Sequence, residues 1–265
     1  MEAAHILGYA GVALAVMLIG VSKSGFGAGM GLLVVPMTAI ALGFTPVGAA
    51  SALGLLLPLL IVGDIVSITQ HRKHFAWDLL KRLIPGTIVG VVIGAGVLFL
   101  IKQQAGLIEA LIRIEIGIEC VLLVSLHWWR QHKGTQQKLM PEPARGWLTG
   151  GFIAVSSTLA HAAGPIFAMY ALPLNKTRNE FVGTSALYFF MLNNAKIPAY
   201  IAAGMFAPVD WGSAALLAPL VLVGAVIGFA IKKRMSDATF TKIVYVVTFV
   251  LGWGLLVDGV RKLIG

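Results

Sequence analysis

The strongest constraint on the fold is a succession of apolar segments separated by short polar stretches. These segments fall at about 6–22, 28–42, 48–70, 83–101, 106–128, 147–160, 164–174, 180–203, 211–231 and 241–260. Only 12% of the residues are charged, whereas soluble domains carry about 25%. A soluble core could not bury this much apolar surface, because there are too few polar residues to cover it. The sequence therefore predicts an all-α polytopic membrane protein.

Segment length divides the apolar segments into two groups. A helix needs about 20 apolar residues to cross a bilayer, and most of the segments reach that length. Segments 6–22, 28–42, 147–160 and 164–174 are shorter, and they form two adjacent pairs. We predict that each pair is a broken helix, arranged either as a re-entrant hairpin or as two short spans.

The chain repeats itself at a distance of 134 residues. With this shift the triplet at 51–53 coincides with the triplet at 185–187, and Gly90 coincides with Gly224. Trp77, Pro85 and Gly94 coincide in the same way with Trp211, Pro219 and Gly228. The sequence thus predicts two homologous halves, 1–128 and 146–265, joined by a basic linker at 129–145. Each half would contain one broken-helix pair and three full transmembrane helices.

The charges between the segments predict how the halves are related. The loop 71–82 carries four basic residues, whereas its counterpart 204–216 in the second half has none. The opposite holds for the next pair of loops, because 101–106 has one basic residue and its counterpart 232–242 has four. Because basic loops stay in the cytoplasm, the two halves should cross the membrane in opposite senses. Such an inverted-topology repeat is typical of secondary transporters.

The same rule predicts the topology of the chain. The loops predicted to be cytoplasmic are 71–82, 129–145, 175–180 and 232–242, and both termini should be extracytoplasmic. We expect the chain to lie in the cell inner (cytoplasmic) membrane. The basic residues fall between apolar segments and therefore do not indicate nucleic-acid binding.

The first break contains four glycines at alternate positions, Gly25, Gly27, Gly29 and Gly31. Non-helical backbone is tolerated within a bilayer only where protein buries it or water lines it. A helix that starts after such a break directs free N–H groups and its positive dipole end at the gap, which favours an anion. The alternative is a packing role, since small residues also let helices approach closely.

The second break lies in "SSTLAHAAGP", residues 156–165. Ser157, His161 and Gly164 are its candidate binding residues, and Pro165 suits the first turn of a helix. Inverted symmetry would bring the two breaks together near the middle of the membrane. His161 could serve either as a ligand or as a hydrogen-bonded structural residue.

Polar residues inside apolar segments are expensive and usually functional. Lys23 is either an anion-binding cation or a boundary lysine that reaches the membrane surface. Lys196 follows Asn193 by one helical turn, and it either binds an anion or pairs with Asp64 or Glu119. Asp64 is a candidate proton-coupling carboxylate, with a lysine partner as one alternative.

Three stretches resemble the TauE/SafE sulfite-exporter family, also called the toluene-sulfonate uptake permease family. They are "GFGAGMGLLVVPM", "GDIVSITQHRKHFAWDLLKRLIPGTIVGVVIG" and "TSALYFFMLNNAKIPAYIAAG". The resemblance implies a two-repeat secondary transporter for sulfite, sulfoacetate or other organosulfonates. It places the family's glycine-rich break at residues 25–31 and its Asn–Lys pair at Asn193 and Lys196. The second break departs from the glycine-rich pattern, with "LAHAAGP" in place of repeated glycines.

Together these features predict an exporter of small sulfur-containing anions that works by alternating access. The predicted binding residues are Ser22, Lys23, Gly25, Gly27, Gly29, Gly31, Ser157, His161, Gly164, Asn193 and Lys196. The expected partners are the anion, the lipid bilayer, protons as a candidate coupling ion, and a second copy in a candidate homodimer.

Other functions were also compatible with the sequence. An anion channel would use the same breaks as a selectivity constriction, and a carboxylate carrier or a membrane assembly subunit would share the same architecture. The sequence contains no catalytic motif and no metal-ligand spacing, so we expect neither an enzyme nor a cofactor.

Overall fold

The computed structural model describes residues 2–25, 31–45, 47, 51–103, 107–133, 144–171, 174, 177–232 and 236–264. Within these ranges the chain forms ten α-helices and no strand. The helices are α1 (Glu2–Gly25), α2 (Gly31–Gly43), α3 (Ala52–His71), α4 (Trp77–Gln103), α5 (Ile108–Lys133), α6 (Ala144–Ala160), α7 (Gly164–Ala171), α8 (Arg178–Ala202), α9 (Trp211–Lys232) and α10 (Asp237–Ile264). The prediction of an all-α chain built from ten apolar segments is therefore confirmed.

Among the described residues, five helices are long and apolar enough to cross a membrane. They are α1, α3, α4, α9 and α10. The side chains of Ile88, Val92 and Leu216 on α4 and α9 are exposed, whereas Asp64, Asn193 and Lys196 are buried. Apolar side chains that face outward around a polar interior are the arrangement expected in lipid, and the chain is a multi-pass membrane protein.

The length predicted for the first segment was wrong. Helix α1 has 24 residues and contains a candidate span of 21 residues, Ala4–Ser24, so it is longer than the short segment that the sequence predicted. The reason is local, because the Ser24 hydroxyl donates a hydrogen bond to the Val21 carbonyl oxygen over 3.1 Å. The Ser24 hydroxyl is thus satisfied by the helix backbone, and the helix continues to Gly25.

Two close helix pairs cover the sides of the molecule, α1 with α9 and α4 with α6. A Cβ atom on Gly224 of α9 would lie 1.9 Å from the Met17 carbonyl oxygen, and one on Gly90 of α4 would lie 2.3 Å from the Gly151 carbonyl oxygen. Only glycine permits these backbone contacts. Helix α3 packs on α8 between the two pairs, and α5 packs on α10.

Three of the described helices begin at side-chain caps, and α10 is one of them because the Ser236 hydroxyl accepts a bond from the Thr239 amide over 3.2 Å. The Thr177 hydroxyl accepts a hydrogen bond from the Glu180 amide at the start of α8. The Asp210 carboxylate accepts bonds from the Ser213 hydroxyl and from the Ser213 and Gly212 amides before α9, which lowers the pKa of Asp210. These caps occupy amides that a helix start leaves without intrahelical partners.

The second break is short and well defined. Helix α6 ends at Ala160 and α7 begins at Gly164, so Ser157 still belongs to the helix. His161 adopts a left-handed backbone conformation with φ 51° directly after α6. Helix ends often have this conformation, but glycine usually occupies the position. At the first break α1 ends at Gly25 and α2 begins at Gly31, while Gly27 and Gly29 lie outside the described residues.

Candidate functional site

Asp64 lies at a point where three helices converge. Its carboxylate on α3 is completely buried, and both of its oxygens have partners. The ammonium of Lys23 on α1 contacts Oδ1, and the Nδ2 amide of Asn193 on α8 donates to Oδ2 over 2.7 Å. Of the alternatives that the sequence left open for Asp64, a lysine partner is present, and that partner is Lys23.

Lys196 lies one helical turn beyond Asn193 on α8 and is also completely buried. Its ammonium donates to the Ser157 carbonyl oxygen over 2.8 Å, to the Ser157 hydroxyl over 3.0 Å and to His161 Nδ1 over 2.9 Å. These three bonds use all three protons of the ammonium group. The protons therefore point at neutral groups near the end of α6, and not at Asp64 or Glu119.

The His161 ring is held between the two halves of the chain. Its Nε2 atom lies 3.0 Å from the Leu53 carbonyl oxygen, which can only accept, so Nε2 carries the proton. Nδ1 is then the acceptor that the Lys196 ammonium requires. The Tyr200 hydroxyl donates to the Thr158 carbonyl oxygen over 2.8 Å and fixes the same end of α6.

These contacts define a polar cluster that consists of Lys23, Asp64, Ser157, His161, Asn193 and Lys196. It contains two ammonium groups and one carboxylate, because His161 is neutral in this hydrogen-bond pattern. The C-terminal end of α6 offsets part of the excess positive charge, since helix carbonyls point at Lys196. A buried site with excess positive charge and several hydrogen-bond donors is chemically suited to an anion.

The structure describes four of the other predicted binding residues, which lie on α1, α2 and α7. Ser22 is buried on α1, one position before Lys23. Gly25 is the last residue of α1, Gly31 is the first of α2, and Gly164 is the first of α7. The first hydrogen bond of α7 runs from the Phe167 amide to the Ala163 carbonyl oxygen. Gly164 therefore precedes the hydrogen-bonded part of that helix.

Sequence reasoning missed two aromatic residues of α8 that face the cluster. The Phe189 ring centroid lies 5.2 Å from Lys23 Nζ, and the Tyr200 ring centroid lies 5.9 Å from Lys196 Nζ. Both distances are within the range of a cation–π contact. The spacing could have revealed them, because Phe189, Asn193, Lys196 and Tyr200 follow each other at intervals of four, three and four residues. Such intervals place side chains on one face of a helix.

A second polar contact adjoins the cluster on α6. The Ser156 hydroxyl donates to Glu119 Oε2 of α5 over 3.0 Å, and Ser156 directly precedes Ser157. On α5, the Arg113 guanidinium also pairs with the carboxylates of Glu109 and Asp258, each over 2.8 Å. Successive serines of α6 thus connect the Lys196 contact with the partly buried Glu119 carboxylate of α5.

Comparison with known proteins gives one match. The family described as "Sulfite exporter TauE/SafE" matches residues 12–255 of the 265 residues, and this range contains every residue of the polar cluster. No curated protein and no solved structure matches the chain. Because the match spans nearly the whole sequence, the chain belongs to the sulfite exporter TauE/SafE family, which is a family of membrane transporters.

Proposed function

We propose that this protein is a secondary transporter that exports a small sulfur-containing anion, such as sulfite or an organosulfonate, by alternating access. The polar cluster would be its anion site. The observation that carries this proposal is the surroundings of Lys196, whose buried ammonium has three neutral hydrogen-bond partners. The carboxylate of Asp64 is already engaged by Lys23 and Asn193.

The donors of the cluster match the oxygens of a sulfonate or sulfite group. The Ser157 hydroxyl accepts a bond from Lys196, so its own proton is available for an anion oxygen. The Lys23 side chain is 16% exposed and could turn from Asp64 towards a ligand. Asn193 would donate an amide proton to the anion, and the buried ammonium of Lys196 would supply positive charge.

Charge balance suggests when a proton would accompany the anion. With Lys23, Lys196 and Asp64 ionised, the cluster carries one positive charge, which a monoanion would neutralise. A dianion such as sulfoacetate would leave one negative charge in excess, which a proton on Asp64 would remove. We therefore propose that Asp64 couples proton movement to the transport of dianions only.

The packing of the helices supports the inverted repeat. The α1–α9 and α4–α6 pairs exchange when residue numbers shift by 134, and the same shift relates the contact of Gly224 with Met17 to that of Gly90 with Gly151. We propose that 1–128 and 146–265 are the two repeats and that 129–145 links them in the cytoplasm. Loops 71–82, 175–180 and 232–242 would share that side, and both termini would lie outside.

The test is counterflow of radiolabelled sulfoacetate in proteoliposomes that contain the wild-type protein, Lys196→Gln or the control Lys81→Gln. Lys81 is exposed on α4, so its variant should behave as wild type. Removal of a unit charge about 6–8 Å from the anion costs about 2–3 kcal/mol at an effective dielectric constant of about 20, so Lys196→Gln should raise KM roughly 30- to 100-fold. The melting temperature is measured in parallel, because Lys196 also contacts the end of α6.

Three results would contradict the proposal. The site is wrong if folded Lys196→Gln transports every tested sulfonate with an unchanged KM. Single-channel currents in planar bilayers would favour the channel over alternating access. Thermal stabilisation by carboxylates, with none by sulfur oxyanions, would favour a carboxylate carrier.

A further inference from the structure

A cavity of about 700 Å³ lies between α3, α9 and the start of α8, outside the polar cluster. One wall is apolar and comes mainly from α9, whereas the polar lining consists of Ser24, Gln70, His71, His74 and Asn179. Ser24 directly follows Lys23 on α1. The cavity is therefore lined by the residue that adjoins Lys23 in α1.

The face of α3 between this cavity and Asp64 is polar. Ser67 follows Asp64 by three residues and precedes His71 by four, which places all three side chains on one face. The Ser67 side chain is buried, with 1% of the residue exposed, and its hydroxyl has no hydrogen-bond partner within the described ranges. His71 Nδ1 instead contacts the Ser67 carbonyl oxygen over 3.0 Å. A buried hydroxyl without a partner is costly, which suggests that a ligand uses it.

Two basic residues follow the end of α3, whose His71 lines the cavity. Arg72 and Lys73 follow directly after α3 and are exposed beside His71 and His74. The residues that line the cavity include no aspartate and no glutamate. Basic residues around the mouth of a cleft raise the local concentration of anions and speed their entry.

We propose that this cavity is the loading vestibule through which a small organosulfonate reaches Lys23 from the side of the protein that carries Arg72 and Lys73. The Ser67 hydroxyl donates a hydrogen bond to the anion between the vestibule and the polar cluster. This inference rests on the proposed transport of sulfonates. It adds the route, the side of entry and a binding residue that the family match does not supply.

The test uses single cysteines in a Cys120→Ala background, since Cys120 is the chain's one cysteine and is buried. Gln70→Cys lies in the vestibule, and Asn179→Cys on its opposite wall serves as a second variant if the first does not fold. Val92→Cys is the control, because Val92 is exposed on the apolar face of α4. Inside-out and right-side-out vesicles are treated with anionic sulfonatoethyl methanethiosulfonate or with its cationic trimethylammonioethyl analogue.

We expect the vestibule cysteines to react from one side only and faster with the anionic reagent, and sulfoacetate to slow the reaction. Val92→Cys should react with neither charged reagent. Reaction with lipophilic N-phenylmaleimide alone would show a lipid-filled crevice and overturn the proposal. The proposal would also be overturned if the vestibule cysteines reacted equally fast with the anionic and the cationic reagent and no tested anion slowed the reaction. Protection by a carboxylate in place of sulfoacetate would retain the route and refute the proposed substrate class.

Ser67→Ala provides an independent measurement. Because the hydroxyl has no partner among the residues that the structure describes, its removal should leave the melting temperature unchanged or slightly raised. Loss of one bond to a charged ligand should raise the KM for sulfoacetate about tenfold. An unchanged KM in this variant would overturn the role of Ser67.

Discussion

The ion pair between Lys23 and Asp64 offers the sharpest test of the site geometry. Asp64→Asn keeps the size and shape of the side chain but removes its charge. The Lys23 ammonium would then face a neutral amide, while Asn193 can flip its own amide and keep a hydrogen bond to the new residue. The substitution therefore isolates the loss of charge from the loss of packing.

The expected cost follows from burial. Removal of one partner from a buried ion pair costs about 3–5 kcal/mol, because the other charge stays without compensation. The Lys23 side chain is 16% exposed, so water can reach part of it. We therefore expect a loss near the lower limit, about 3 kcal/mol. The double variant Lys23→Met/Asp64→Asn removes both charges of this pair, so neither stays without its partner, and it should recover about 2 kcal/mol of that loss.

The assay is thermal unfolding followed with a thiol-reactive fluorogenic maleimide. Cys120 is 1% exposed and reacts only when the protein opens, so fluorescence reports unfolding. A loss of about 3 kcal/mol corresponds to a fall of roughly 6–12 °C in melting temperature. Asp78→Asn is the matched control. Asp78 is exposed in the first turn of α4, and its charge is worth at most about 1 kcal/mol there.

The reasoning fails if Asp64→Asn melts within the range of Asp78→Asn. It also fails if the free energies of the two single variants add up to that of the double variant within about 0.5 kcal/mol, because additivity indicates independent residues. Either result would mean that Lys23 and Asp64 are not a charged pair in the folded protein.

Two further predictions concern the scaffold and use the same unfolding assay. Gly224→Ala should destabilise the protein by about 3 kcal/mol, because its Cβ would lie 1.9 Å from the Met17 carbonyl oxygen and force α1 away from α9. Gly96→Ala is its control, since nothing lies within 4 Å of that position, and it should stabilise α4 by up to about 1 kcal/mol; equal melting temperatures would contradict the close contact. Thr177→Ala should cost about 1 kcal/mol through loss of the cap on the Glu180 amide, whereas Thr177→Ser should retain the cap. Equal loss in both Thr177 variants would show that the hydroxyl does not cap α8.

Much of the fold was predictable because membrane insertion leaves a local signature. Hydropathy and length identified all ten helical segments, since a bilayer requires about 20 apolar residues for each span. Hydropathy also singled out Lys23, Asp64, Asn193 and Lys196, because polar side chains are costly in apolar segments. The relation between the two halves stays a prediction that the helix pairing supports.

Local patterns were less successful at the ends of the helices. The apolar run at 6–22 predicted a short first segment, yet the Ser24 hydroxyl bonds to the Val21 carbonyl oxygen and α1 continues to Gly25. At the second break, no property of the sequence showed that His161 would adopt the left-handed conformation usual for glycine. Contacts with Lys196 and the Leu53 carbonyl oxygen hold it there.

The sequence by itself determined the class of protein, the number of helices, the family and all six residues of the polar cluster. Only the tertiary structure decided their partners: Asp64 lies with Lys23 and Asn193, and Lys196 lies with Ser157 and His161. Partners depend on how far each helix is rotated and how closely it approaches its neighbours. Backbone contacts between distant glycines and carbonyls set that approach, and hydropathy along the chain carries no information about it.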